Sequence, residues 1–245
     1  MRKNAPLLLT LALGVFAGAL DLGVLSPALP AIARQFGVPT GDLAWIFTLY
    51  LLVTVASIAV ASALADRIGR RDVYMACIGL FVLGSIVAVL APNYGTLLFA
   101  RALQALGAGG IFPVATAAIG DVVEPKRRGS ALGAIAAMWG LAAVIGPLFG
   151  GAITHFVSWR WIFVLNFPLA AIVLWLAYRN LPRTAPRARS PLDGFGLAIL
   201  CLGLLLLMDG LTTARALSAL LGIAVLVGFV WWERNADHPI VPMRL

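Results

Sequence analysis

Charge is what this chain has least of. Only 11% of its 245 residues are charged, ten of them acidic and eighteen basic. Two cysteines, Cys77 and Cys201, both lie inside apolar runs, which leaves no disulfide framework and no metal-ligand spacing. The two histidines, His155 and His238, stand far apart, and neither H-E-x-x-H nor G-x-S-G occurs. The sequence is therefore read as a non-enzyme with no cofactor and no metal site. Polar stretches large enough for a soluble domain are missing as well.

What is present is apolar. Hydrophobic residues make up 62% of the chain and the mean hydropathy is +0.99, outside the range of soluble domains. They fall into eight blocks, 7–32, 43–65, 73–90, 95–119, 131–153, 161–181, 194–211 and 214–232. A block of about twenty residues crosses a hydrocarbon layer of roughly 30 Å as a helix. Many of the glycines and prolines lie within the blocks, which spanning helices tolerate. The expected fold is all-α, a polytopic membrane helix bundle of eight spans. Arg2, Lys3 and the run that follows resemble a signal peptide, but the run continues to Ile32, so an uncleaved first span is expected.

The net charge of +8 has a topological explanation. With the N-terminus inside and the spans alternating, fourteen basic residues fall on the inner side: Arg2, Lys3, Arg67, Arg70, Arg71, Lys126, Arg127, Arg128, Arg179, Arg183, Arg187, Arg189, Arg234 and Arg244. Only Arg34, Arg160 and Arg215 fall outside, which predicts cytoplasmic termini by the positive-inside rule. No nucleic-acid partner is needed to account for the charge, and the expected location is the plasma membrane.

The first six blocks form one unit, 1–181. A Pro- and Arg-rich cytoplasmic linker follows at 182–193, then a transmembrane hairpin at 194–232 and a cytoplasmic tail at 233–245. Shifting the chain by 89 residues lays Ser62, Arg71 and Tyr74 on Gly151, Arg160 and Phe163. Inverted three-helix repeats of transporters leave such faint echoes.

Five charges crowd into "SALADRIGRRDVY" (62–74), between two spans. Asp66 ends one helix, Gly69 permits a sharp reversal, and Arg70 and Arg71 hold the turn inside. In the fourth block Arg101 and Gln104, three apart, share a helix face. An arginine in hydrocarbon costs at least about 2.5–3.5 kcal/mol on insertion scales, so it is expected to face a cavity or a partner. In the fifth block, small or bending residues recur at 129, 133, 136, 140, 143, 147 and 151. That stripe predicts a groove for close helix packing, with Pro147 bending the span. Asp21 is the sole carboxylate deep in a span, a functional candidate by default. Counted along the helices, Asp21 lies roughly 16 Å and Arg101 roughly 10–12 Å from the outer boundary. The two are expected to face one cavity.

These segments resemble the major facilitator superfamily. Leu64, Asp66, Arg67, Gly69, Arg70 and Arg71 are similar to its loop signature, with Ser62 in place of the first Gly. The resemblance implies a cytoplasmic latch that favours the outward-open state. Arg101, Gln104 and Gly107 resemble its R-x-x-q-G motif. Gly146, Pro147, Gly150 and Gly151 resemble its antiporter motif, associated with exporters. "SWRWIFVLNFPLA" (158–170) and "ALDLGVLSPALP" (19–30) resemble the fourteen-span drug:proton antiporter branch, the latter departing at Gly23, Ser26 and Pro27. On this resemblance the chain corresponds to the first eight spans, a six-helix half plus the extra helix pair. The function implied is proton-coupled export of small amphipathic molecules, driven by a proton gradient, with Asp21, Arg101 and Gln104 as coupling candidates. Implied partners are the lipid bilayer, the substrate, protons, and a second half-transporter chain or a homodimer. Without that second half, Asp21 and Arg101 are expected to lie uncovered towards lipid. The alternative reading is a non-transporting remnant or a membrane partner subunit.

Overall fold

The computed structural model describes residues 5–183, 193–213 and 215–236. Most of the linker 182–193 and of the tail 233–245 lies outside the described residues, as do Arg2, Lys3, Arg187, Arg189, His238 and Arg244. Every regular element among the described residues is helical. The helices are α1 (Ala5–Leu25), α2 (Leu29–Phe36), α3 (Trp45–Ile68), α4 (Arg70–Val89), α5 (Tyr94–Val122), α6 (Pro125–Phe156), α7 (Arg160–Val164), α8 (Asn166–Asn180), α9 (Gly194–Thr212) and α10 (Ala216–Asn235). With α1–α2 and α7–α8 each counted as one broken helix, eight segments are long and apolar enough to cross a membrane.

Local chemistry sets the breaks. Pro27 has no N–H to continue the α1 ladder, so Ser26–Ala28 tightens into a 3₁₀ turn before α2 resumes. Gly69 stands between α3 and α4 with φ of +108°, a conformation that a Cβ would oppose, and this lets the chain reverse without a loop. The Asn93 side chain accepts from the Thr96 N–H at 2.8 Å and caps α5. Pro125 opens α6 at a position where no intrahelical donor is required.

The six-helix unit has two apolar clusters. One gathers Leu11, Tyr74, Ile78, Ile111 and Val173 near the end of the bundle where α1 begins. The other gathers Leu25, Ile32, Ile46, Leu97 and Phe163 near the opposite end. Between them, on α1, α4, α5 and α8, come the buried polar residues Asp21, Ser85, Arg101, Gln104 and Asn166.

The glycine pattern of α6 works differently from the sequence expectation. The residues buried along α6 are Ala131, Ile135, Ala142, Gly146 and Gly150, and the last two press on α1 at Gly23 and Val24. A Cβ on Gly146 would stand 2.8 Å from the Gly23 Cα, and one on Gly150 would meet the Val24 backbone. The stripe at 129, 133, 136, 140, 143 and 147 instead lies on the exposed side, and a Cβ added at Gly129, Gly133 or Gly140 meets nothing within 4 Å. Both faces of α6 are rich in small residues, so smallness alone misplaces the seam. Of the antiporter-like residues, Gly146 and Gly150 form the α1 contact, whereas Pro147 is exposed and Gly151 half-buried.

The two segments related by the 89-residue shift occupy opposite ends of the bundle. At one, Arg71 lies over the Tyr178 ring at 4.5 Å; at the other, Arg160 lies over the Trp159 ring at 4.4 Å. The hairpin α9–α10 packs tightly on itself, Gly210 against Ala219 and Gly222 against Leu207, and rests on α3. At its base Asp193 accepts from the Gly196 N–H (2.8 Å) and the Trp232 indole N–H (2.6 Å).

Candidate functional site

Asp21 and Arg101 meet in the polar layer. Arg101 Nη1 donates to Asp21 Oδ2 at 2.5 Å and to Gln104 Oε1 at 2.8 Å. The other carboxylate oxygen accepts from Asn166 Nδ2 at 3.0 Å and Gln104 Nε2 at 3.3 Å. Ser85 Oγ accepts from the same two amides, at 3.1 and 2.8 Å, and donates to the Phe81 carbonyl. The carboxylate thus takes one charged and two neutral donors, from α5 and α8. Such pairing is what lets an ion pair persist away from water.

The layer is sealed within the six helices. Arg101 is 0% and Asp21 1% exposed, which overturns the expectation that they would lie uncovered towards lipid without a second half. The physical reason is Tyr50 of α3, itself 1% exposed, whose ring carries the Arg101 guanidinium at 4.1 Å. Arg101 Nε and Nη2 have no hydrogen-bond partner; the π face is what covers that side of the cation.

Tyr50 also borders a cavity of about 360 Å³. Leu22, Thr54, Ile58, Phe112 and Trp139 of α1, α3, α5 and α6 also line it. The walls are apolar and aromatic. Gly107 lets α5 lie against α4 beside this layer, since a Cβ there would stand 2.5 Å from the Phe81 amide nitrogen.

The predicted latch residues gather where α3 and α5 end and α4 begins. Arg70 pairs with Asp66 one turn earlier at 3.3 Å and with Asp121 of α5 in a short ion pair. Arg71 turns instead to Tyr178 of α8. Asp121 went unrecognised in the sequence; it lies 51 residues from Arg70, and only its place at a helix end hints at the pairing.

Sequence reasoning also missed Tyr50, Ser85 and Asn166 as members of the site. The signal for Ser85 is a polar residue inside an apolar run; Asn166 also stands in the quoted segment 158–170, where it was given no role. At the opposite end it missed a clasp. Arg160 donates to the Val89 and Ala91 carbonyls (3.1 and 2.8 Å) and to Gln35 Oε1 (2.9 Å), while the Trp159 indole donates to the same Gln35 oxygen at 2.7 Å. Three spans are tied there by one guanidinium.

The sequence model described as Major Facilitator Superfamily matches residues 11–232. "Efflux pump dotC" of Dothistroma septosporum is 33% identical over 98% of this chain and 44% of its own length. An "Acurin A biosynthesis cluster MFS-type transporter" of Aspergillus aculeatus is 34% identical over 97% of this chain and 46% of its own. The chain therefore spans less than half the length of these curated relatives. Among solved structures, a peptide transporter POT in complex with alafosfalin superposes with a TM-score of 0.71 at 18% identity, over 94% of this chain and 52% of that one. The human organic anion transporter MFSD10 gives 0.66 at 20% identity, over 86% and 56%.

Proposed function

This chain belongs to the major facilitator superfamily, and from that premise we propose that it forms one half of a proton-coupled exporter of small amphipathic molecules. The buried Asp21–Arg101–Gln104 cluster behind an apolar cavity is the observation that carries the reading. Residues 1–181 are the transport half, 182–193 the linker and 194–232 an accessory hairpin, as in the fourteen-span drug:proton antiporter branch. The basic end faces the cytoplasm of the plasma membrane, with both termini inside. Export rather than uptake is supported by the antiporter-like residues Gly146, Pro147, Gly150 and Gly151 and by relatives named as efflux pumps. The partner is a second half, from another chain or a second copy, that covers the cavity and the exposed face of α6.

The coupling follows from the geometry. As a carboxylate Asp21 neutralises Arg101 and accepts from Gln104 and Asn166. A proton added to either oxygen takes up an acceptor position that one of these donors uses, and it removes the attraction for the guanidinium. Protonation and the packing of α1 against α5 and α8 are therefore linked. The Arg70 latch, with Asp66, Arg67, Gly69 and Arg71, holds the basic ends of α3, α4 and α5 together in the state described, and breaking it accompanies the rocking of the halves.

The test uses the purified chain in lipid nanodiscs with tetraphenylphosphonium, an amphipathic cation that carries no titratable proton. Binding is expected to move protons, read by a pH dye in weak buffer. Asp21→Asn is expected to abolish the proton movement while binding remains. No binding by the wild-type chain, or equal proton movement in the variant, refutes the reading.

A further inference from the structure

Tyr50 occupies a position that no motif assigns. One face of its ring holds Arg101, and the ring also borders the cavity. Neither Asp21 nor Arg101 lines that cavity, although the Arg101 guanidinium lies on the Tyr50 ring at 4.1 Å and is paired with Asp21. The Nε and Nη2 donors of Arg101 are buried without a hydrogen-bond acceptor. A cation covered by a π face on one side and a carboxylate on the other is stable only while both stay in place.

We propose that Tyr50 is a shutter between the cavity and the Asp21–Arg101 pair, moved by the cavity's occupant. This rests on the proton-coupled reading above and names the residue through which substrate is sensed. With the cavity free of substrate, the ring lies on the guanidinium and keeps water from the carboxylate. A bulky apolar or aromatic molecule seated against Leu22, Phe112 and Trp139 competes with the ring for the same volume. Turned aside, the ring exposes Arg101 Nε and Nη2 to cavity water, which supplies the acceptors they lack. The same water carries the exchanging proton. A hydronium O–H bond breaks, a new O–H bond forms on Asp21, and the guanidinium keeps its charge. Among the described residues, Arg101 is the one charged group paired with Asp21. The other partners of Asp21 are neutral, Gln104 of α5 and Asn166 of α8, with Ser85 of α4 holding the same two amides. Tyr50 therefore acts as a positioning residue through its ring face, not through its hydroxyl.

Two readouts on the nanodisc chain test this. The first is the rate at which a water-soluble carbodiimide modifies Asp21, located by mass spectrometry. Tyr50→Leu removes the ring and is expected to speed labelling several-fold, and Tyr50→Phe, which restores the ring, is expected to restore slow labelling. The second is the proton movement that accompanies tetraphenylphosphonium binding. Tyr50→Leu is expected to bind the cation but lose the linked proton movement, because Asp21 already exchanges with the cavity; Tyr50→Phe is expected to regain it. Wild-type labelling rates in Tyr50→Leu, or loss of coupling in Tyr50→Phe, overturn the shutter. If the leucine variant does not fold, the phenylalanine result alone decides. A wild-type chain that binds no tetraphenylphosphonium removes the exporter reading and the occupant's role together. Coupling that depends on Asp21 but is indifferent to the residue at 50 removes the shutter alone.

Discussion

Arg101 is held by three kinds of partner: a carboxylate, an amide oxygen and an aromatic face. Removing one partner of a buried ion pair leaves the other charge uncompensated, which typically costs about 3–5 kcal/mol. Arg101→Ala is therefore expected to lower the thermal stability of the detergent-solubilised chain by that order, and Asp21→Ala to do the same. The double variant is expected to cost much less than the sum, because no charge remains stranded. Additive losses in a double-mutant cycle contradict the pairing. The acid and the base of this site were legible because charge inside an apolar run is expensive and so announces itself. Tyr50 was not legible. A tyrosine in a membrane run is unexceptional, and only the tertiary arrangement lays its ring over a cation 51 positions away in the chain.

At the scale of helices, the sequence revealed lengths and ends better than faces. The reversal at Gly69 was readable because a backbone constraint belongs to the residue itself, whereas the break at Pro27 falls inside the block 7–32 and was read as continuous span. The α6 seam was not readable, because glycine and alanine occur on both faces, and which face meets α1 depends on Gly23. At that residue a Cβ would lie 3.2 Å from the Gly146 Cα. Gly23→Thr is expected to destabilise the chain by about 1–3 kcal/mol, the range for overpacking. Gly140→Ala, on the exposed face, is expected to stay within about 0.5 kcal/mol. Thermal unfolding in detergent separates the two, and equal losses contradict the seam.

For the whole molecule, orientation and completeness can be tested together. Single cysteines at Asn93 and Thr213 are expected to react with an impermeant maleimide in intact cells, and one at Arg128 only after permeabilisation; outside labelling at 128 contradicts the orientation. In proteoliposomes with an imposed pH gradient, the monomeric chain alone is expected not to transport a fluorescent cationic dye, since alternating access requires two halves rocking about the site. Dye transport by the monomer, abolished by Asp21→Asn, would disprove the half-transporter reading. Transport confined to a crosslinkable dimer would support it.

The two ends of the bundle are fastened by different chemistry. At the basic end Arg70 depends on two carboxylates, Asp66 and Asp121, so its grip needs them ionised and unscreened. At the other end Arg160 grips two backbone carbonyls and an amide, none of which can gain a proton at any physiological pH. In the proposed orientation, the fastening indifferent to acidity faces the surroundings, whose pH the cell does not set. The fastening made of charge pairs faces the cytoplasm. In that orientation the outer seam is held by groups that the exterior cannot titrate.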